Sequence, residues 1–192
     1  MEKERLVAFS DGVIAIIITI MVLELKPPHS PDWSALLALW PVFVSYVLSF
    51  LYVGIYWVNH HHVLYTARRV TGGVLWANLH LLFWLSLVPF STAWMGENQF
   101  AKAPTGLYGF TLLMPAVAYY ILQKAIVRAD GPGSALARAI GADVKGKISL
   151  AAYAAATPLA FVHQALAAAL FVGVAALWLI PDRRIERARP TA

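Results

Sequence analysis

Six apolar stretches, each near the roughly 20 residues that a membrane-crossing helix needs, are separated by polar breaks along the whole chain. They run over about 5–26, 35–64, 71–95, 105–127, 144–161 and 163–181. Pro27, Pro28 and Pro31 mark the first break, Arg68 and Arg69 the second, and the segment from Gly96 to Pro104 the third. A Gly-Pro-Gly loop around Pro132 forms the fourth. Only Pro158, Phe161 and His163 mark the fifth, so one overlong or re-entrant element over 144–181 is the alternative there. Composition supports a bilayer: 13% of residues are charged and 60% hydrophobic, whereas soluble domains carry about 25% charged residues to cover their surface. The expected fold is all-α, a single six-helix transmembrane domain over 1–192.

Six crossings force an alternation of sides, and the basic residues follow it. Lys3, Arg5, Arg68, Arg69, Lys124, Arg128, Arg138, Lys145, Lys147, Arg183, Arg184, Arg187 and Arg189 fall on one side, and only Lys26 and Lys102 on the other. Lysine and arginine collect in cytoplasmic loops, so both termini are expected in the cytoplasm and the chain in the inner (plasma) membrane. The net charge of +5 then reports topology and contact with anionic lipid, not nucleic-acid binding. There is no cysteine, which removes disulfides, thiolate metal sites and a cysteine nucleophile. The first stretch holds Asp11 and has no small-residue cleavage site after it, so it reads as a retained span and not a signal peptide.

The first span carries the sharpest pattern. At about 100° per residue, Ile16, Ile20 and Leu23 share one face, and Phe9 and Gly12 continue that stripe towards the N-terminus. Thr19 lies about 60° from Ile16 and Glu24 about 80°. Ser10 and Asp11 point elsewhere, and a carboxylate inside a span needs a partner or a wet pocket. The stripe by itself fits lipid contact or a bundle core as well as it fits an ion pathway.

Arg5-x-x-x-Phe9-Ser10-Asp11 resembles the R-x-x-x-F-S-D signature of the transmembrane protein 175 family, the endosomal/lysosomal potassium channels and their bacterial homologues. Trp57-x-x-His60-His61, Asn78-Leu-His-Leu-Leu-Phe83, Pro89-Phe90-Ser91 and the closing Trp178-Leu-Ile-Pro181 follow in order. The resemblance implies that the first helix lines a central ion pathway narrowed by aliphatic side chains. Carried onto this chain, the constriction falls on Ile16, Ile20 and Leu23, with the Thr19 hydroxyl beside it. One signature in six helices looks like the single-repeat bacterial form, a homotetramer. One helix cannot enclose a pore, so several copies around an axis are also required on physical grounds. No T-V-G-Y-G carbonyl filter occurs. The implied activity is passive conduction of potassium with a weak to moderate preference over sodium, with no cofactor beyond the permeant ion.

Arg5, Ser10, Asp11, His60, His61 and Asn78 lie at a common depth near the cytoplasmic ends of the first three spans. The expectation is an interhelical network in which His60 or His61 and Asn78 hold the first helix in register and satisfy Asp11. A direct ion-binding or proton-relay role for Asp11 is the alternative. The run His60-His61-His62 is no metal site, because consecutive helical residues point about 100° apart. Glu24 enriches cations at an outer mouth or is a solvated helix end beside Lys26. Gly141 to Lys147 has the spacing of a phosphate loop, but Ile148 replaces the Ser or Thr and no strand precedes it. It reads as a loop entering a membrane helix. Ala152, Ala156 and Ala160 allow close helix packing, and Trp33, Trp40, Trp94 and Trp178 sit near span ends, where aromatic belts lie. No acid, base and nucleophile set suggests an enzyme. A secondary or proton-coupled transporter is the rival reading, and the charged midplane site and broken inverted repeats of such carriers are missing.

Overall fold

The computed structural model describes residues 3–141 and 143–179, and all regular structure among them is helical. The elements are α1 (Lys3–Leu23), α2 (Trp33–Leu37), α3 (Trp40–Thr66), α4 (Gly72–Ser86), α5 (Val88–Glu97), α6 (Lys102–Asp130), α7 (Ala135–Ile140), α8 (Val144–Leu159) and α9 (Gln164–Leu179). The fifth break is real: Ala160 to His163 part α8 from α9, so 144–181 is not one element. The short helices α2 and α7 were not anticipated. Ile180, Pro181 and the four arginines from Arg183 to Arg189 lie outside the described residues.

The six expected stretches, already unequal in sequence, differ further in the structure. Four helical stretches are long and apolar enough to cross a membrane among the described residues: Lys3–Leu23, Trp40–Thr66, Gly72–Glu97 and Lys102–Asp130. The third of these is α4 and α5 together. Pro89, in the first turn of α5, has no N–H to give to the carbonyl of Leu85, so the helix breaks and restarts there. The described parts of α8 and α9 have 16 residues each, about 24 Å of helix against roughly 30 Å of hydrocarbon.

Successive long spans run antiparallel, which gathers the basic loops at one end. Lys3 Nζ donates to the carbonyls of Tyr65 (2.6 Å) and Ala67 (3.0 Å), pinning the start of α1 to the end of α3. The Asp130 carboxylate accepts the backbone N–H groups of Arg68 and Arg69 at 2.8 and 3.0 Å, tying the α3–α4 loop to the end of α6. At the other end Lys26 pairs with Glu97 at 3.8 Å. Asp143, at φ 43°, caps α8 by accepting the Gly146 N–H, so the segment with phosphate-loop spacing is a helix start.

α1 packs on α3, α4 and α5, and α6 packs on α4, α5, α8 and α9. One cluster of buried side chains joins α1, α3, α4 and α6 through Ile14, Ile17, Val53, Leu81 and Leu122. A second joins α3, α5, α6, α8 and α9 through Tyr52, Met95, Tyr108, Tyr153 and Phe171. Ala156 and Ala160 are buried where α8 meets this second cluster. α1 therefore sits at one side of the bundle, covered by it along one face only.

Candidate functional site

The covered face of α1 carries Leu6, Ser10, Ile14, Ile17 and Met21, spaced by three and four residues as a single helical stripe requires. The opposite face is uncovered. Phe9 (53%), Ile16 (60%), Ile20 (42%) and Leu23 (72%) are widely exposed, and a Cβ placed on Gly12 would meet no atom within 4 Å. Thr19 is exposed in the same stripe and spends its hydroxyl proton on the Ala15 carbonyl at 2.9 Å, which leaves oxygen lone pairs outward. Arg5 and Ala8 begin this face at the basic end, and Glu24 is exposed just past its far end. The Lys26 ammonium lies against Glu97, not Glu24.

A bilayer-depth surface of this composition has to meet either lipid tails or another protein. Lipid would account for the aliphatic residues. It gives no reason for Gly12, Ala8 and Ala15 to be small in the same stripe, whereas close approach of a second backbone does.

Behind that face lies a buried chain of polar side chains. Ser10 Oγ donates to the Leu6 carbonyl at 2.8 Å and accepts from Asn78 Nδ2 at 2.9 Å. Asn78 Oδ1 lies 2.7 Å from His60 Nε2. Ser10, Asn78 and His60 are each fully buried, so α1, α4 and α3 are locked together at one depth. Since Asn78 Oδ1 only accepts, His60 Nε2 is the protonated ring nitrogen in this arrangement.

Two parts of the expected network are different. Asp11 is not satisfied by His60, His61 or Asn78: its Oδ1 accepts from Trp57 Nε1 at 3.0 Å. Trp57 lies three residues before His60 and one turn away on α3, so the same helix serves both faces of the α1 contact. His61 takes no part, being exposed and stacked on Tyr65 with ring centroids 6.2 Å apart. The pairing of Trp57 with Asp11 was hidden in sequence because tryptophan is usually read as a belt or packing residue. A second hydroxyl chain was missed altogether. Thr92 Oγ1 donates to Ser49 Oγ at 2.7 Å, and Ser49 lies 2.9 Å from Tyr108 Oη. Its only sequence signal is the presence of small hydroxyl residues inside apolar spans.

Comparison with known proteins bears on this geometry. The family model described as endosomal/lysosomal potassium channel TMEM175 matches residues 5–89, which hold α1, α3 and α4 and therefore the whole Ser10–Asn78–His60 chain. The sequence is 51% identical over 187 residues to a potassium channel of Chryseobacterium sp. (strain P1-3), covering 97% of both chains. It is 36% identical over 135 residues to a potassium channel of Streptomyces collinus, covering 66% of each. Among solved structures it resembles the crystal structure of a lysosomal potassium-selective channel TMEM175 homolog from Chamaesiphon minutus. The TM-score is 0.83 at 29% identity, over 94% of this chain and 98% of that one.

Proposed function

The chain belongs to the TMEM175 family and is a multi-pass membrane protein, and from that premise we propose that it is a passive, potassium-preferring cation channel of the inner (plasma) membrane. Four copies surround one axis, each contributing its uncovered α1 face. The observation that carries the reading is the division of α1 into a face sunk in the bundle and an apolar face that none of the described residues covers. Similar chains named as potassium channels supply the permeant ion.

In this reading Ile16, Ile20 and Leu23 form successive aliphatic rings. Such rings impose a barrier by stripping hydration water and gate by dewetting, and the outward oxygen of Thr19 sits between the Ile16 and Ile20 levels. Ser10, Asp11, Trp57, His60 and Asn78 act as the mount: they fix the rotation of α1, and with it which side chains face the axis, while Arg5 and Phe9 of the signature continue the uncovered face. All 192 residues make one channel unit of six crossings, with α8 and α9 completing the count and both termini cytoplasmic as the basic residues dictate. The permeant ion is the only ligand this mechanism requires.

Reconstitution of the purified protein in planar bilayers under a potassium gradient tests the function. Current should reverse near the potassium equilibrium potential, and Ile16→Asn should raise conductance or weaken selectivity by wetting the narrowest ring. A pH gradient applied in the same bilayer measures any proton share. Movement strictly coupled to a second solute would replace the channel with a carrier.

A further inference from the structure

Away from the α1 face, the concavities among the described residues include two at or near the basic end. One is a crevice of about 50 Å³ lined by Tyr52, Tyr56, Tyr119 and Tyr153. Its hydroxyls at Tyr52 and Tyr119 are already committed to the carbonyls of Phe171 and Asn59. The other is a groove of about 790 Å³ between α4 and α6, within the range of small-ligand sites.

The chemistry of this groove is graded along its length. The two helices run in opposite directions, so Gly73 lies level with Arg128 at the mouth, Trp76 and Ala77 with Lys124 and Ala125 one turn in, and His80 with Ile121 deeper. Lys124 and Arg128 are four residues apart and share one face of α6. Lys124 Nζ lies 5.2 Å from the centre of the Tyr120 ring. Neither cation pairs with a carboxylate: among the described residues the one salt bridge is Lys26–Glu97, at the other end. Across the groove Trp76 is 75% exposed, an amphipathic ring at the depth where polar headgroups give way to acyl chains. His80 Nε2 accepts from Trp84 Nε1 at 2.8 Å, so the proton of its neutral ring is on Nδ1.

Two unpaired cations at the mouth, a tryptophan beside them and, below, Ile121 with the Tyr120 and His80 rings match an amphiphile with an anionic head, oriented as a bilayer orients it. We propose that this groove binds an anionic phospholipid of the cytoplasmic leaflet, with the phosphodiester held by Lys124 and Arg128 and the upper acyl chain lying against Trp76 and Ile121. Basic pockets between membrane helices on the cytoplasmic side are where such headgroups are held. A free phosphate would use the cations and gain nothing from Trp76 or Ile121. The site requires that the basic end face the cytoplasmic leaflet, and it does not require that the protein conduct.

Native mass spectrometry of the detergent-solubilised channel, titrated with phosphatidylglycerol or phosphatidylcholine, tests the site by a readout independent of current. Phosphatidylglycerol should be retained in preference to phosphatidylcholine. Lys124→Gln/Arg128→Gln should weaken that retention about 30-fold, the factor for two basic residues at roughly 1 kcal/mol each. Lys102→Gln, at the opposite end, should change nothing. Equal retention by the double variant, no preference between the lipids, or displacement by inorganic phosphate would each overturn the proposal. A second arm uses the unaltered protein: a phosphatidylglycerol carrying a photoreactive group near its head should label peptides of α4 and α6. Labelling confined to other helices also rejects the site.

Discussion

Asn78 is the residue on which the mount of α1 turns, because its amide serves two helices at once: Nδ2 to Ser10 and Oδ1 to His60. Leucine has nearly the same shape and offers neither bond, leaving the buried His60 Nε2 without a partner and Ser10 Oγ with the Leu6 carbonyl alone. Hydrogen bonds between membrane helices average about 0.6 kcal/mol and reach about 1.7, so Asn78→Leu should cost roughly 1–3 kcal/mol. A lower melting temperature and a poorer yield of assembled protein in detergent would register it. Trp57→Phe removes one bond at a half-exposed position and should cost less than about 1 kcal/mol. Asp11→Asn keeps an acceptor for Trp57 Nε1, so assembly should survive; if current then changes in an intact assembly, the carboxylate itself acts on permeating ions. The depth of these polar residues was legible in sequence, since each lies a countable number of residues from a basic loop. Their pairing was not. Which of His60 and His61 turns inward, and whether histidine or tryptophan meets Asp11, depends on the rotation of α3 about its axis, and an almost uniformly apolar span leaves that rotation unmarked.

At the scale of helices, span positions were legible because the breaks are chemically loud, whereas close approaches were not. The sequence pattern places Gly96 at the start of a loop. It lies instead in the last turn of α5, where a Cβ would stand 2.8 Å from Val42 Cα and 3.2 Å from Ser45 Oγ. The obstacle is backbone, which cannot swing aside as a flexible side chain does, so even one methyl group must push α3 and α5 apart. Gly96→Ala should therefore destabilise by about 1–3 kcal/mol, the usual cost of overpacking. Gly173, in α9, has no atom within 4 Å of the same position, and Gly173→Ala should stabilise by up to about 1 kcal/mol through helix propensity. Thermal unfolding of the two variants side by side checks both signs, and equal effects would mean that α3 and α5 are not in contact at Gly96. The kink at Pro89 follows from a rule visible in sequence, but the way α8 begins does not. Asp143 starts that helix in a left-handed conformation, a choice made by the turn and not by hydropathy.

For the whole molecule, the distribution of basic residues spoke in the sequence and any partner of α1 did not, since a single chain can show such a partner only as an apolar face left open. The lack of cysteine makes both features measurable, because any thiol introduced is the only one per chain. Arg69→Cys and Lys102→Cys should react with a membrane-impermeant maleimide from opposite sides, Lys102→Cys in intact spheroplasts and Arg69→Cys in inverted vesicles. Leu23→Cys addresses the partner. Its side chain is the most exposed of the α1 stripe, and a disulfide from it can only join two different copies, which must bring their Cα atoms to within about 7 Å. Around a shared axis the same position recurs in copies that stay together and approach as the helices fluctuate, so mild oxidation of native membranes should yield covalent dimers that persist when the protein is diluted into excess lipid. Val172→Cys, similarly exposed on α9, should yield dimers only by collision and lose them on dilution. If both variants respond to dilution alike, Leu23 faces lipid, and the aliphatic stripe of α1 encloses nothing.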